Sequence, residues 1–191
     1  MKVELNKVFE INGSVENTWV FLQNISSVAS CMPGAEITEQ VDDNNYKGKV
    51  KANIGPVTMA FNGDIKIIKI DPSKKLLHFI GKGQDTKGTS VAEMDLTAKV
   101  CTKKDGKTEL VGTAIVNVSG KIANFGGRMM EQVADQILDQ FGERFANNIV
   151  AMGGDAAAKE AAKILDKQPK ELNGLAFAWS IFIGFFKKLS S

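Results

Sequence analysis

From residue 3 to residue 119 the chain is dominated by a two-residue alternation of apolar and polar side chains. It opens with Val3, Leu5, Phe9 and Ile11 on one parity and Glu4, Asn6 and Glu10 on the other, the mark of a strand with one buried face. Asn12-Gly13 breaks the run, and Ser14 is placed to cap a short helix carrying Trp19, Val20 and Leu22. A second short helical or turn segment, 25–30, ends at Met32-Pro33-Gly34. Alternation then returns in the stretches 35–41, 46–54, 57–70, 76–82, 89–103 and 108–119. Turn clusters such as Asp42-Asp43-Asn44-Asn45, Gly55-Pro56 and Asp105-Gly106 separate them. Connections this short join antiparallel neighbours, because a parallel crossover needs roughly a dozen residues or more.

Beyond residue 120 the period changes. Phe125, Met129, Val133, Ile137, Phe141, Phe145 and Ile149 recur every fourth residue, with Ile122, Met130 and Leu138 beside them. Glu131, Asp135, Asp139 and Glu143 occupy the other face. The spacing predicts one amphipathic helix of about 28–30 residues, roughly 45 Å long. A helix of that length needs a long surface to lie against, and the sheet supplies it. The expected fold is α+β, a helix-grip arrangement. A curved six- to seven-stranded antiparallel sheet wraps around a long C-terminal helix, with two short helices after the first strand. The expected division is a globular domain at 1–152, an Ala/Lys/Glu-rich helical or flexible spacer at 153–173, and a tail at 174–191.

The tail differs from everything before it. Residues 175–186 carry no charge, and Leu175, Phe177, Trp179, Ile181, Phe182, Ile183, Phe185 and Phe186 are spread nearly all round a helical projection. As a helix it would be about 18 Å long, too short to cross a hydrocarbon core of about 30 Å. Shallow membrane insertion is therefore expected, with Lys187 and Lys188 at the headgroups. Docking of the tail into a partner or into the protein's own cavity is the alternative.

Composition removes more chemistry than it offers. One histidine, His78, excludes His-rich zinc sites, and two distant cysteines, Cys31 and Cys101, make no metal or disulfide framework. Twenty-four basic against 22 acidic residues leave no basic excess for a nucleic-acid footprint. The opening sequence reads as no secretory signal, so the expected compartment is the cytoplasm. Residues 81–88, GKGQDTKG, superficially suggest a phosphate loop but lead into another strand, so they read as a hairpin turn. Gly126-Gly127 reads as a close-packing point between helix and sheet, His78 as structural or exposed, and Cys31 as a buried small residue in a turn. Glu93 and Asp95 alternate with Ala92, Met94 and Leu96, so the acids are expected to face solvent. No catalytic residue and no metal ligand is assigned.

The inward sets carry the candidate site. Val57, Met59 and Phe61 share one strand face, Met94 and Leu96 another, and the long helix adds Phe125, Met129, Val133, Ile137 and Phe141. Core packing explains such residues by default. A bent sheet holding a single helix often closes incompletely, and methionine-rich linings adapt to apolar guests, so these ten are expected to line a hydrophobic ligand cavity.

CMPGAE at 31–36, GPVTMAFNGDI at 55–65, GKGQDTKG at 81–88, VNVSGKIANFGGRMM at 116–130 and the detached apolar C-terminus point to a known family. In these segments, and in their order over residues 1–150, the chain resembles the carbon monoxide dehydrogenase G-subunit family. That family belongs to the START-like, polyketide-cyclase-like helix-grip superfamily. The resemblance implies a non-enzymatic accessory protein without a covalent cofactor that binds a lipid or a respiratory isoprenoid quinone such as menaquinone. It implies peripheral attachment to the inner face of the cell membrane through the tail. It also implies electronic coupling to a molybdenum-containing CO dehydrogenase or related hydroxylase. The matching motifs are structural and bring no catalytic residues with them. A cavity-based enzyme of the cyclase or hydrolase type, or an assembly factor for the partner oxidoreductase, are the alternatives.

Overall fold

The structure is a computed structural model, and it describes residues 1–54, 57–153 and 161. Strand β1 (Lys2–Ile11) leads into helices α1 (Val15–Gln23) and α2 (Ile25–Cys31). Strands β2 (Ala35–Gln40), β3 (Asn45–Ile54), β4 (Val57–Asp71), β5 (Leu76–Asp85), β6 (Ser90–Thr102) and β7 (Thr108–Gly120) follow. A 3-10 segment, Lys121–Phe125, precedes the long helix α3 (Gly127–Ala151). The seven strands form one open antiparallel sheet in the order β1-β7-β6-β5-β4-β3-β2. The meander runs from β2 to β7, and β1 closes onto β7 with Val3 opposite Val116 and Ile11 opposite Thr108. Residues of one parity in every strand therefore face α1, α2 and α3, as the alternation requires.

Local chemistry sets the helix boundaries. Ser14 caps α1, its hydroxyl accepting from the Asn17 amide at 3.0 Å. Asn24 ends α1 by donating its amide to the Phe21 carbonyl, and it starts α2 by accepting from the Ser27 amide at 3.0 Å. The two helices bury Trp19, Leu22, Ile25 and Cys31 over the inner face of the sheet.

The long helix differs from its sequence-based expectation. It has 25 residues, not about 28–30, because Ile122 and Phe125 lie in the 3-10 segment. Gly126, at φ 77°, separates the two elements. That left-handed backbone favours glycine. Close packing is not the reason for Gly126-Gly127, since a Cβ at either position would meet nothing within 4 Å. The close approach occurs at Gly142, where a Cβ would overlap the Phe9 ring. Phe9 also meets Phe141 edge-on, with ring centroids 5.8 Å apart. Helix α3 runs beside β1 in the same direction: Lys7 reaches Asp135 at 2.8 Å, Phe9 lies at Gly142, and Gly13 lies at Ile149.

The core is divided along α3. One cluster joins Phe145 and Ile149 to Trp19, Leu22, Ile25, Cys31, Tyr46, Ile67, Leu77, Val100 and Leu110. A second joins Val133 to Met59, Val118 and Ile122. In the first, Phe145 and Leu77 are fully buried, whereas much of the second is only half-buried.

Candidate functional site

The inner face of the sheet and the N-terminal half of α3 supply the site. Parity turns Met59 and Phe61 inward on β4, and the helical repeat turns Met129, Val133 and Ile137 toward them. These five and Phe125 meet in the second cluster, together with Val116, Val118, Ile122 and Met130. Phe61, Phe125, Met129, Met130 and Ile137 are only partly buried there. Leu96 and Phe141 pack against the first cluster instead. Met94 is half-buried in neither, and Val57, at the hairpin end of β4, is 41% exposed. Val116 and Val118 were not among the expected lining residues. Their inward parity on β7 was the available signal, and the register that sets Ala92 opposite Val118 was the missing one.

Between the clusters the inner face is paved largely with backbone. Gly48 pairs with Gly63, and Gly63 with Gly83. Gly81 occupies the next inward position of β5, opposite Met94. A side chain at Gly63 would collide with the Lys82 carbonyl, so glycine permits the tight approach of β4 to β5. At Gly81 and Gly83 a Cβ would make only ordinary contacts, and at Gly112 it would meet nothing within 4 Å. Glycine thus keeps the inner face of the sheet low between the two clusters, with Met94 over Gly81 and Phe61 beside Gly83.

Polar side chains lie around this strip and not in it. Lys7, inward by parity, pairs with Asp135 at 2.8 Å and Asp139 at 3.9 Å on the flank of α3. The hydrogen bond to Asp135 holds its pKa above the ordinary lysine value against partial burial. Glu93 pairs outward with Lys82 at 2.6 Å, and His78 meets Asp95 at 2.8 Å on the same outer face, as expected of both acids. A groove of about 520 Å³ on that face is lined by Lys47, Asn62, Asp64, Lys82 and Gln84. A second depression, of about 390 Å³, lies between α1–α2 and Tyr46. Neither is lined by α3.

The buried polar groups serve the fold. Asp85 accepts from the Thr89 and Ser90 amides and the Thr89 hydroxyl, fixing the hairpin turn of residues 86–89. Burial acts to raise its pKa, and these bonds outweigh it, so the carboxyl titrates below its ordinary value. Ser90 accepts in turn from the Ile122 amide at 3.1 Å, and Thr108 donates to the Gly13 carbonyl at 2.7 Å. Burial pushes the Cys31 thiol up to about 12, only partly opposed by Arg144. Such a thiol is unreactive at neutral pH, in line with its reading as a packed small residue. Among the described residues no three His, Cys, Asp or Glu side chains are grouped to hold a metal ion.

The sequence profile of the carbon monoxide dehydrogenase G subunit (CoxG) matches residues 8–150. The chain belongs to the CoxG family. The match runs from the second half of β1 through nearly all of α3. Solved structures agree on the fold. A conserved protein from Geobacillus kaustophilus superposes with a TM-score of 0.69 at 24% identity, covering 77% of this chain and 95% of that one. The Zhui aromatase/cyclase from Streptomyces sp. R1128 gives 0.56 at 13% identity, covering 80% and 99%. A START superfamily protein from Mycobacterium smegmatis gives 0.54 at 14%, covering 76% and 96%. At these identities the likeness is one of fold, and the expected START-like helix-grip architecture is the one found. No curated protein matches the chain. Among the described residues no helix is long and apolar enough to cross a membrane. The tail residues Leu175 to Lys188, and all of the expected spacer except residues 153 and 161, lie outside the described residues.

Proposed function

We propose that this CoxG-family chain is a non-enzymatic accessory protein that holds an apolar ligand between the N-terminal half of α3 and the sheet. The ligand is an isoprenoid quinone such as menaquinone, or a lipid. The apolar tail would attach the complex to the inner face of the cell membrane and so couple a molybdenum CO dehydrogenase or related hydroxylase to it. One observation carries the ligand reading. Flexible Met129 and Met130 on α3, with Phe125 just before it, pack toward Met59 and Phe61 beside a strip of glycine, and they stay half-buried while Phe145 and Ile149 at the other end of the helix are fully packed. Thioether and phenyl groups adjust to a flexible chain without demanding one shape. Support for the non-enzymatic reading is that His78, Glu93 and Asp95 sit on the outer face, while proton transfer needs groups within hydrogen-bond reach of a bound substrate. Support for the partner comes from the family's own description.

The test is native mass spectrometry with solvent extraction of the purified full-length chain, followed by titration with menaquinone-1. One equivalent of quinone or lipid is expected. Val133→Trp, which enlarges a buried side chain of the second cluster, is expected to exclude it at a modest stability cost, below the about 1–3 kcal/mol typical of overpacking a tight core. A wild-type chain that carries and binds none, or that converts the quinone to a new product, would overturn the proposal.

A further inference from the structure

We infer that the neighbouring hairpins β4–β5 and β6–β7 form a lysine-tipped contact surface for anionic lipid headgroups, at the end of the domain where the chain leaves α3. In the antiparallel sheet both hairpins turn at the end where β1 finishes, with Ile11 opposite Thr108. They are joined there, the Val100 amide donating to the Lys75 carbonyl at 3.0 Å. The last turns of α3 reach the same end: Ile149 lies against Gly13, whose carbonyl accepts from the Thr108 hydroxyl at 2.7 Å.

The acids of the two hairpins are already engaged. Asp71 pairs with Lys69 at 3.2 Å and accepts from the Ser73 hydroxyl and the Lys74 amide. Glu109 pairs with Lys103 at 3.2 Å, Glu10 with Lys107 at 3.3 Å, and Asp105 accepts from the Lys107 amide. Lys74, Lys75, Lys99 and Lys104 are left without an ion-pair partner among the described residues. Three of them are exposed and Lys75 is half-buried. Uncommitted lysines gathered on one surface attract anionic lipid, each strengthening partition by a few-fold. The third hairpin at this end carries Asp42 and Asp43 in its turn, so the basic surface is confined to β4–β7.

Lys75 adds an independent sign. Its φ is 47°, the single positive value at a non-glycine among the described residues. Glycine or asparagine holds that left-handed backbone at lower cost, and strain of this kind gathers where a side chain serves a function. The choice of a membrane as occupant rests on the proposed tail attachment, because the uncharged stretch 175–186 follows in sequence from this end of α3. The surface acts with the tail and not in place of it, since headgroup attraction to a few lysines is weakened by salt.

Co-sedimentation of the full-length chain with phosphatidylglycerol–phosphatidylcholine vesicles, and with pure phosphatidylcholine vesicles, tests the surface. Lys74→Gln, Lys75→Gln and Lys104→Gln together should weaken partition to the charged vesicles about ten-fold or more and leave the neutral ones unchanged. Removing equal charge at the opposite end of the sheet, by Lys2→Gln, Lys87→Gln and Lys121→Gln, should change it less than about three-fold, because those charges lie beyond the screening length. Equal losses in the two triple variants, or none in the first, would overturn the surface. Lys75→Gly should raise the urea midpoint by relieving the backbone, while weakening charged-vesicle binding about three- to five-fold. A lowered midpoint, or undiminished binding, would overturn the role of Lys75. If the wild-type chain binds neither vesicle, the membrane reading and the surface fall together. If it binds both alike and no lysine variant matters, the attachment stands and the hairpin surface fails.

Discussion

The ring of Phe9 lies against Gly142 so closely that even a methyl group at that position would overlap its Cδ1 and Cε1 atoms. This contact brings α3 close to the edge strand at Gly142. Gly142→Ala gains helix propensity, worth about 1 kcal/mol. It loses more by overpacking, which typically costs about 1–3 kcal/mol. A lowered urea midpoint is expected, with partial recovery when Phe9→Leu is added to the same variant.

The two ends of the helix differ in what they support. Phe145→Ala removes a fully buried ring and should cost about 3–5 kcal/mol. Met129→Ala removes a half-buried side chain and should cost less than about 2 kcal/mol. Chemical denaturation of both variants would show the contrast, and equal losses would contradict the division of the core.

Cys31 gives the protein an alkaline weakness. Its pKa is raised to about 12 in the folded chain, so its contribution to stability is complete below the unfolded value near 9.0 and is lost as pH rises from there toward about 12. The loss from this one group amounts to about 1.4 kcal/mol per pH unit within that window. Cys31→Ala should flatten the fall of the urea midpoint between pH 9 and 11. With a thiol reagent at pH 8, the half-exposed Cys101 should react in the native state and Cys31 only on unfolding.

Asp85 acts in the opposite range. Its folded pKa lies below 3.8, so the stability it supplies is present above that value and disappears as pH falls through the folded pKa. Asp85→Asn keeps the shape but loses the charge that the Thr89 and Ser90 amides surround. A lower urea midpoint at pH 7, and a shallower decline between pH 4 and 2, are expected.

The proposed membrane attachment rests on residues 175–186, which carry no charge and are mostly bulky and apolar. Deleting 175–191 should abolish co-sedimentation with phosphatidylglycerol–phosphatidylcholine vesicles while leaving the thermal midpoint and menaquinone-1 binding unchanged. Residual association that vanishes in high salt would point to surface lysines, since headgroup attraction is screened over about 8–10 Å. Undiminished sedimentation in high salt would remove the tail from the attachment.

The strands were legible because alternation, interrupted by Asp, Asn, Gly and Pro, leaves little freedom in where a hairpin turns. The start of α3 was not, because Ile122 and Phe125 keep helical spacing while sitting in a 3-10 segment, and nothing in a hydrophobic period reveals the positive φ of Gly126. The same limit hid Gly142: a glycine's packing role depends on its neighbour, here Phe9, far away in sequence. Parity correctly turned Met59 and Phe61 inward, and the helical repeat brought Met129, Val133 and Ile137 to the same side. Which inward residues share a cluster depends on register. That is why Leu96, opposite Phe79, went to the other end of the core, and why Lys7 could not be linked to Asp135 from the strand pattern alone.

On the proposed ligand reading, the division of the core along one helix separates durability from selectivity. Residues around Phe145 and Leu77 carry the more deeply buried part of the core, and those near Met59 and Met129 the less buried part. Substitutions at the loosely seated end can therefore accumulate without jeopardising the scaffold. On that proposed reading the fold is a fixed handle with an exchangeable grip, open to retuning for guests of different length or bulk by changes at a handful of side chains.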